Sequence, residues 1–199
     1  MAATNVIIIV PSQGKDVGAF LAVGQALVRK VYGGRAKVIR TKVTISDAGA
    51  TTDASATTVN FETADGGAFS WSDAHDLRTL ITISHGFSGD GPNLGYGLGD
   101  SRFQVWARDE SDASGLSKAA QNFWGRDVGK ALLKPDGKVI LVGCFMGAGD
   151  YARNVAKAAK VSTYGSTGLI GAGNEHTTLK YVGAIERGRV LAPMVEAKP

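Results

Sequence analysis

Lys138-Val139-Ile140-Leu141-Val142-Gly143-Cys144 is a short apolar run that stops at a glycine and the only cysteine of the chain. Upstream, Thr79-Leu80-Ile81-Thr82-Ile83-Ser84 stops in the same manner at His85-Gly86. Both runs are near-continuous in β-branched and aliphatic residues, the pattern of strands covered on both faces in a parallel sheet. Strands of one parallel sheet end at one edge. The two runs therefore predict an imidazole and a thiol emerging together at the carboxyl edge, outside which open α/β sheets bind their ligands.

Working outward, Val6-Ile7-Ile8-Ile9-Val10 is a third such run and predicts the first core strand, with a turn at Pro11-Ser12-Gln13-Gly14. Apolar residues at Phe20, Leu21, Val23, Leu27, Val28 and Val31 predict a helix over 17–32, stopped by Gly33-Gly34. A second strand is expected over 37–45. An edge strand or hairpin at 58–63 is expected within a Thr-, Ala-, Asp- and Gly-rich excursion over 46–68. Ser70 or Ser72 is expected to cap a short helix over 73–78, which puts His75 on a surface helix. A Gly-rich loop over 86–101 and a short strand at 103–106 complete this excursion.

The spacing of Ala120, Phe123, Trp124, Val128, Ala131 and Leu132 predicts an inward helical face over 117–133, ended by Pro135-Asp136-Gly137. A helix over 150–159 and a strand over 160–164 follow. The remainder, 165–199, is expected as a Gly-rich loop with a hairpin through 179–182 and a last short strand at 189–191. Strands alternating with helices imply βαβ units. The expected fold is α/β: three layers, a mostly parallel central sheet flanked by helices, in a single domain over 1–199.

Composition agrees with this and narrows the function classes. A chain of 199 residues with 44% hydrophobic and 20% charged residues is an ordinary globular domain. It buries enough surface to fold without a disulfide or a metal. One cysteine excludes an intrachain disulfide framework and agrees with a reducing compartment. The balance of 22 Lys+Arg against 18 Asp+Glu is mildly basic, but the charges are scattered rather than striped with aromatics, so no nucleic-acid partner is expected. The N-terminus lacks a basic n-region, and the 6–10 run is too short for a signal peptide or a membrane span. A cytoplasmic protein with no membrane partner is the expectation.

The thiolate is the reactive form of cysteine and needs a neighbouring base, which His85 supplies. Gly86 leaves its N–H open to close approach, and the Cys144 N–H is expected to face the same point, giving two oxyanion donors. His75, His85 and His176 have no metal-binding spacing, so neither metal nor cofactor is expected. His176 is expected in a loop. Gly168-Leu169-Ile170-Gly171-Ala172-Gly173 does not fit a dinucleotide fingerprint and is expected as a flexible loop. Asp90, Asp100, Glu175 and Glu186 either line a pocket for a basic side chain or are solvated loop charges. Trp71, Trp106 and Trp124 are expected in core or rim packing. The absence of a Gly-x-Ser-x-Gly elbow argues against a serine α/β-hydrolase.

The run Ile81–Gly86, followed by Val139–Cys144, resembles the caspase-like superfamily of cysteine peptidases. Ser84-His85-Gly86-Phe87-Ser88-Gly89 with Leu94-Gly95, Gly143-Cys144-Phe145-Met146-Gly147-Ala148-Gly149, and Ser166-Thr167-Gly168 are similar to bacterial members. The resemblance implies a caspase-like three-layer fold and peptide hydrolysis through an acyl-enzyme, with a peptide or protein substrate. It implies Cys144 as nucleophile, His85 as general base and acid, and the N–H groups of Gly86 and Cys144 as oxyanion hole. Ser166 and Thr167 fall where the family lines its substrate cleft. Val142 occupies the position from which caspases and metacaspases read a charged P1 side chain, so a charged preference is not implied. That apolar context is closer to toxin self-processing domains, which resemble leucine-preferring enzymes and take a polyanionic activator. A small-molecule or partner activator acting through loops 86–101 or 165–175 is thus an expectation, although no dense basic cluster marks its site. Two other functions fit the residues: a catalytically silent binding or scaffold protein, and a thiol-dependent amidase or acyltransferase.

Overall fold

Val6–Pro11 forms β1, buried at every position, and the sheet grows from it in both directions. The structure is a computed structural model and describes residues 4–45, 57–87, 91–93 and 111–199. The other strands of the main sheet are β2 (Ala36–Ile45), β3 (Thr57–Thr63), β4 (Thr79–Ile83), β7 (Lys138–Val142), β8 (Ser162–Ser166) and β9 (Met194–Ala197), in the order β3-β2-β1-β4-β7-β8-β9. The inner pairings β2-β1-β4-β7-β8 are all parallel. Only the edges, β3 on β2 and β9 on β8, are antiparallel. A separate hairpin, β5 (His85–Phe87) with β6 (Gly91–Asn93), rises from the end of β4.

The helices are α1 (Val17–Leu27), continued by a π turn over Val28–Tyr32; α2 (Lys118–Gln121), continued by a π segment Asn122–Val128 into α3 (Gly129–Ala131); α4 (Tyr151–Ala159); and α5 (Glu175–Glu186). Strand alternation divides the core into two layers. Ile7 and Ile9 of β1, with Leu80, Val139 and Leu141, pack against Phe123, Trp124, Tyr151 and Val155. Val6, Ile8 and Val10, with Ile81, Ile83, Ile140 and Val142, pack against Phe20, Val23, Leu27, Val182 and Ile185. Helices thus cover both faces, giving the expected α/β three-layer architecture.

Three expectations need correction. No helix forms over 73–78: Ser70 does cap, accepting from Ser72 N, but only a single 3-10 turn, Trp71–Asp73, follows. Beyond it the backbone is committed to the end of α3, with Leu77 N bonded to Ala131 O at 2.9 Å and Leu133 N to Leu77 O at 2.7 Å. His75 is therefore exposed on an irregular segment. The expected hairpin through 179–182 is instead α5. Its inward stripe is Thr178, Val182 and Ile185, a helical spacing masked in sequence by a threonine. Asn174 caps it by accepting from Thr177 N at 3.1 Å, which places His176 in the first turn of a helix and not in a loop. The last strand is Met194–Ala197 and not 189–191. The expected strand at 103–106, most of the 86–101 loop, Leu94-Gly95, Trp106, Asp90 and Asp100 lie outside the described residues.

Candidate active site

The inner strand order places β1 and β4 side by side with connections leaving on opposite faces, α1 on one and the α2–α3 segment on the other. At such a switch point an open α/β sheet has a crevice at its carboxyl edge. A cavity of about 450 Å³ opens there, bordered by Asp16, Phe20, His85, Cys144 and the 170–174 loop. The two strand-terminal residues singled out in the sequence thus face one hollow.

Their placement follows from the backbone. Ser84 N bonds to Val142 O at 3.1 Å, so β4 and β7 are still registered when the chain reaches His85 and Cys144. Gly86 abuts the cysteine turn so tightly that a Cβ there would lie 2.3 Å from Cys144 O and 2.6 Å from Met146 Cε. The next strand closes on the same turn at backbone contact: a Cβ on Gly147 would lie 2.5 Å from Gly165 O. Phe145, directly after the cysteine, has a left-handed backbone with φ 57°. A non-glycine residue in that region is strained and is retained where the surroundings overdetermine it. This tight turn sets the sulfur at the cavity wall.

His85 is held by two contacts the sequence did not announce. Its Nε2 lies 3.2 Å from Asp16 Oδ2, and its ring meets Phe20 edge to face at 5.0 Å between centroids. Asp16 occupies the N-cap position of α1, yet its side chain caps nothing and its φ is 64°. With Nε2–H donating to the carboxylate, the neutral imidazole presents Nδ1 as its basic nitrogen. Asp16 is the residue that sequence reasoning missed. Its only signal is an acidic residue directly before a helix that follows β1, which is indistinguishable from an ordinary cap.

The remaining expected site residues are placed as follows. Cys144 is partly buried, and its Sγ donates to Ile170 O at 3.4 Å. Among the described residues its backbone N–H has no acceptor. Val142 has no exposed surface; it belongs to the core beneath the cavity and does not line it. Ser166 is also fully buried, and its hydroxyl donates to Gly143 O, tying β8 to the cysteine turn rather than facing a cleft. Thr167 is exposed and bonds Pro193 O through both N and Oγ1, at 2.9 and 3.1 Å. Neither Ser166, Thr167 nor Gly86 borders the cavity. The Gly168–Gly173 stretch does: Ile170, Gly171, Ala172 and Gly173 form one wall.

Of the acidic residues weighed for a basic pocket, Glu175 pairs with Lys30, which holds its carboxyl below the usual range. Glu186 lies at the opposite sheet edge, bonded to Tyr32 and Thr79. Trp71 meets Phe61, Phe69 and Phe123 edge to face, and Trp124 donates to Tyr151 in the core. Among the described residues no three His, Cys, Asp or Glu side chains are grouped to hold a metal. No helix among them is long and apolar enough to cross a membrane.

No family model matches the chain, and no curated protein does. Among solved structures, the chain is similar to a secreted C11 cysteine protease from Bacteroides thetaiotaomicron, crystallised with an irreversible peptide inhibitor. The sequence identity is 12% and the TM-score 0.43, over 86% of this chain and 51% of the protease. This chain thus spans about half the length of that protein.

Proposed function

We propose that this protein is a caspase-like cysteine peptidase that cleaves peptide bonds with Cys144 and His85. The observation that carries the proposal is their convergence on one cavity at the switch point, with the imidazole anchored through Nε2 by Asp16. In the reaction, the Cys144 proton passes to His85 Nδ1 and the sulfur attacks the scissile carbonyl. The oxyanion that forms is assigned to the Cys144 N–H, which has no acceptor among the described residues; Gly86, expected as a second donor, does not border the cavity. Each such donor is worth about 3–4 kcal/mol in measured sites. His85 then returns the proton to the leaving amine. Water, deprotonated by the same imidazole, cleaves the thioester and restores the thiol.

The substrate is assigned from what borders the sulfur. Besides His85, Asp16 is the only charged side chain among the described residues of the cavity wall, and it is engaged with the imidazole. Phe20, Ala19, Ile170 and Ala172 give the wall an apolar stretch, with Ser84 and Asn174 as its uncharged polar members. An uncharged residue before the scissile bond suits this wall, and Val142, being buried, contributes nothing to the choice.

The test is covalent labelling with peptidyl chloromethylketones bearing leucine, alanine, aspartate or arginine at P1. Labelling of Cys144 by the leucine or alanine probe is expected, with loss of at least about 100-fold in His85→Ala, the usual share of a general base. Labelling indifferent to His85→Ala would exclude the dyad. Labelling fastest with the aspartate or arginine probe would overturn the assigned substrate class.

A further inference from the structure

The end of β8 and the chain after it are laced to the cysteine turn by four contacts in succession. Ser166 Oγ donates to Gly143 O, Gly147 N to Ser166 O at 2.7 Å, Phe145 N to Gly168 O at 3.0 Å, and Cys144 Sγ to Ile170 O at 3.4 Å. The first three fix backbone. The fourth takes the nucleophile itself: its proton is directed at a carbonyl, while His85 Nε2 is engaged with Asp16. No Cys144–His85 hydrogen bond joins the described contacts of either residue.

From this we infer that residues 167–173 form an autoinhibitory strap. The Ile170 carbonyl holds the thiol away from proton transfer, and a peptide entering the cavity releases it by displacing the strap. The inference rests on the dyad proposed above and adds its regulation. The strap is held at two points. It is pinned at one end by Thr167, through N and Oγ1, to Pro193 O, and at the other by the buried Thr178, whose Oγ1 donates to Ala172 O at 3.1 Å. Glycines at 168 and 171 lie between these pins. A Cβ on Gly168 would find its nearest neighbour only at 3.9 Å, so the strap is not wedged there by packing. Leu169, next to the latching carbonyl, is 77% exposed, the most exposed large apolar side chain among the described residues. Ile170 and Ala172, by contrast, are buried in the layer that holds Phe20 and Val142, so an entering peptide must draw the Ile170 carbonyl away against those contacts.

The strap predicts opposite behaviour for small and peptidyl reagents. Iodoacetamide does not displace it, and should alkylate Cys144 in the native protein at least about tenfold slower than in the same chain in urea, as for a site open in a minor state. Thr178→Val removes one pin and Thr167→Val removes the side-chain half of the other, leaving its N–H bond; each should raise the native rate several-fold, while Thr178→Ser keeps its hydroxyl and should not. The leucine chloromethylketone should label faster, relative to iodoacetamide, on the native protein than on the unfolded chain. A native iodoacetamide rate equal to or above the unfolded one overturns the strap. So does a folded Thr167→Val protein that reacts at the native rate; this exposed position keeps the test available should Thr178→Val fail to fold. The dyad is judged separately, since His85→Ala removes the base without touching the Ile170 contact. If peptidyl probes ignore His85 but the pin variants still accelerate iodoacetamide, the dyad falls and the strap stands.

Discussion

The two edges of one sheet use polar groups in opposite ways. At the amino edge, Glu186 at the end of α5 accepts from Tyr32 Oη at 2.9 Å and Thr79 Oγ1 at 3.0 Å, and faces Lys138 Nζ at 3.6 Å. Four elements converge there and each side chain has its partner. At the carboxyl edge, Cys144 N–H has no acceptor among the described residues, Asp16 and Phe145 hold left-handed backbones, and a cavity remains open. The difference separates roles by location. One edge satisfies its polar groups internally and locks helices to strands; the other leaves a backbone donor without an acceptor among the described residues beside an open cavity, as the peptidase proposed above would need.

The comparison breaks most visibly at Gly86. Gly86→Ala puts a Cβ against the Cys144 carbonyl. Backbone must yield there, and a destabilisation of about 3 kcal/mol is expected by chemical denaturation, together with loss of peptidyl labelling. Glu186→Ala should cost about 2–3 kcal/mol, because it strands the hydroxyls of the buried Tyr32 and Thr79 and a lysine. Its labelling rate, measured on the folded protein, should stay at the native value; a drop in that rate would show that the two edges are coupled. Asp16→Asn tests the other edge. Because Asp16 caps nothing, unfolding should be unchanged, while labelling falls about tenfold or more as the tautomer and orientation of His85 are lost.

The smallest effect is alkaline. Burial, then Glu186, pushes the Tyr32 phenol far above its ordinary value, and burial does the same to Tyr151. The folded state then keeps these protons after the unfolded state has released them. Stability should therefore be complete below about pH 10 and fall as pH rises beyond it, the unfolded chain binding fewer protons. Tyr32→Phe should flatten part of that slope, at a cost of about 1 kcal/mol at neutral pH for the lost hydrogen bond.

Much of this was legible in the residues. Runs such as Val6–Val10 and Val139–Val142 are apolar at every position, and only a strand covered on both faces tolerates that at such length. Their order with intervening helices then sets a parallel sheet, and a parallel sheet sets a common edge for His85 and Cys144. Reading failed where a polar residue did an apolar residue's work. Thr178 is buried because its hydroxyl has a partner in Ala172 O, so the stripe of α5 was broken in sequence and whole in space. It failed again at 73–78, where the local cap at Ser70 was real but longer-range bonds to α3 took the following backbone. Val142 and Ser166 were expected to line a cleft. Strand alternation turns Val142 into the core, and the hydroxyl of Ser166 points at Gly143.

By itself, then, the sequence determined the inner strands, the layers and the edge that carries both a thiol and an imidazole, because periodicity and turn chemistry are local. Tertiary structure alone decided that Asp16, at the start of α1, contacts His85, and that the Ile170 carbonyl accepts a hydrogen bond from the thiol. Both contacts join segments distant in the chain, through a carboxylate and a backbone carbonyl. Every acidic residue has the first and every residue the second, so neither leaves a mark in the sequence until the fold brings one of them within reach.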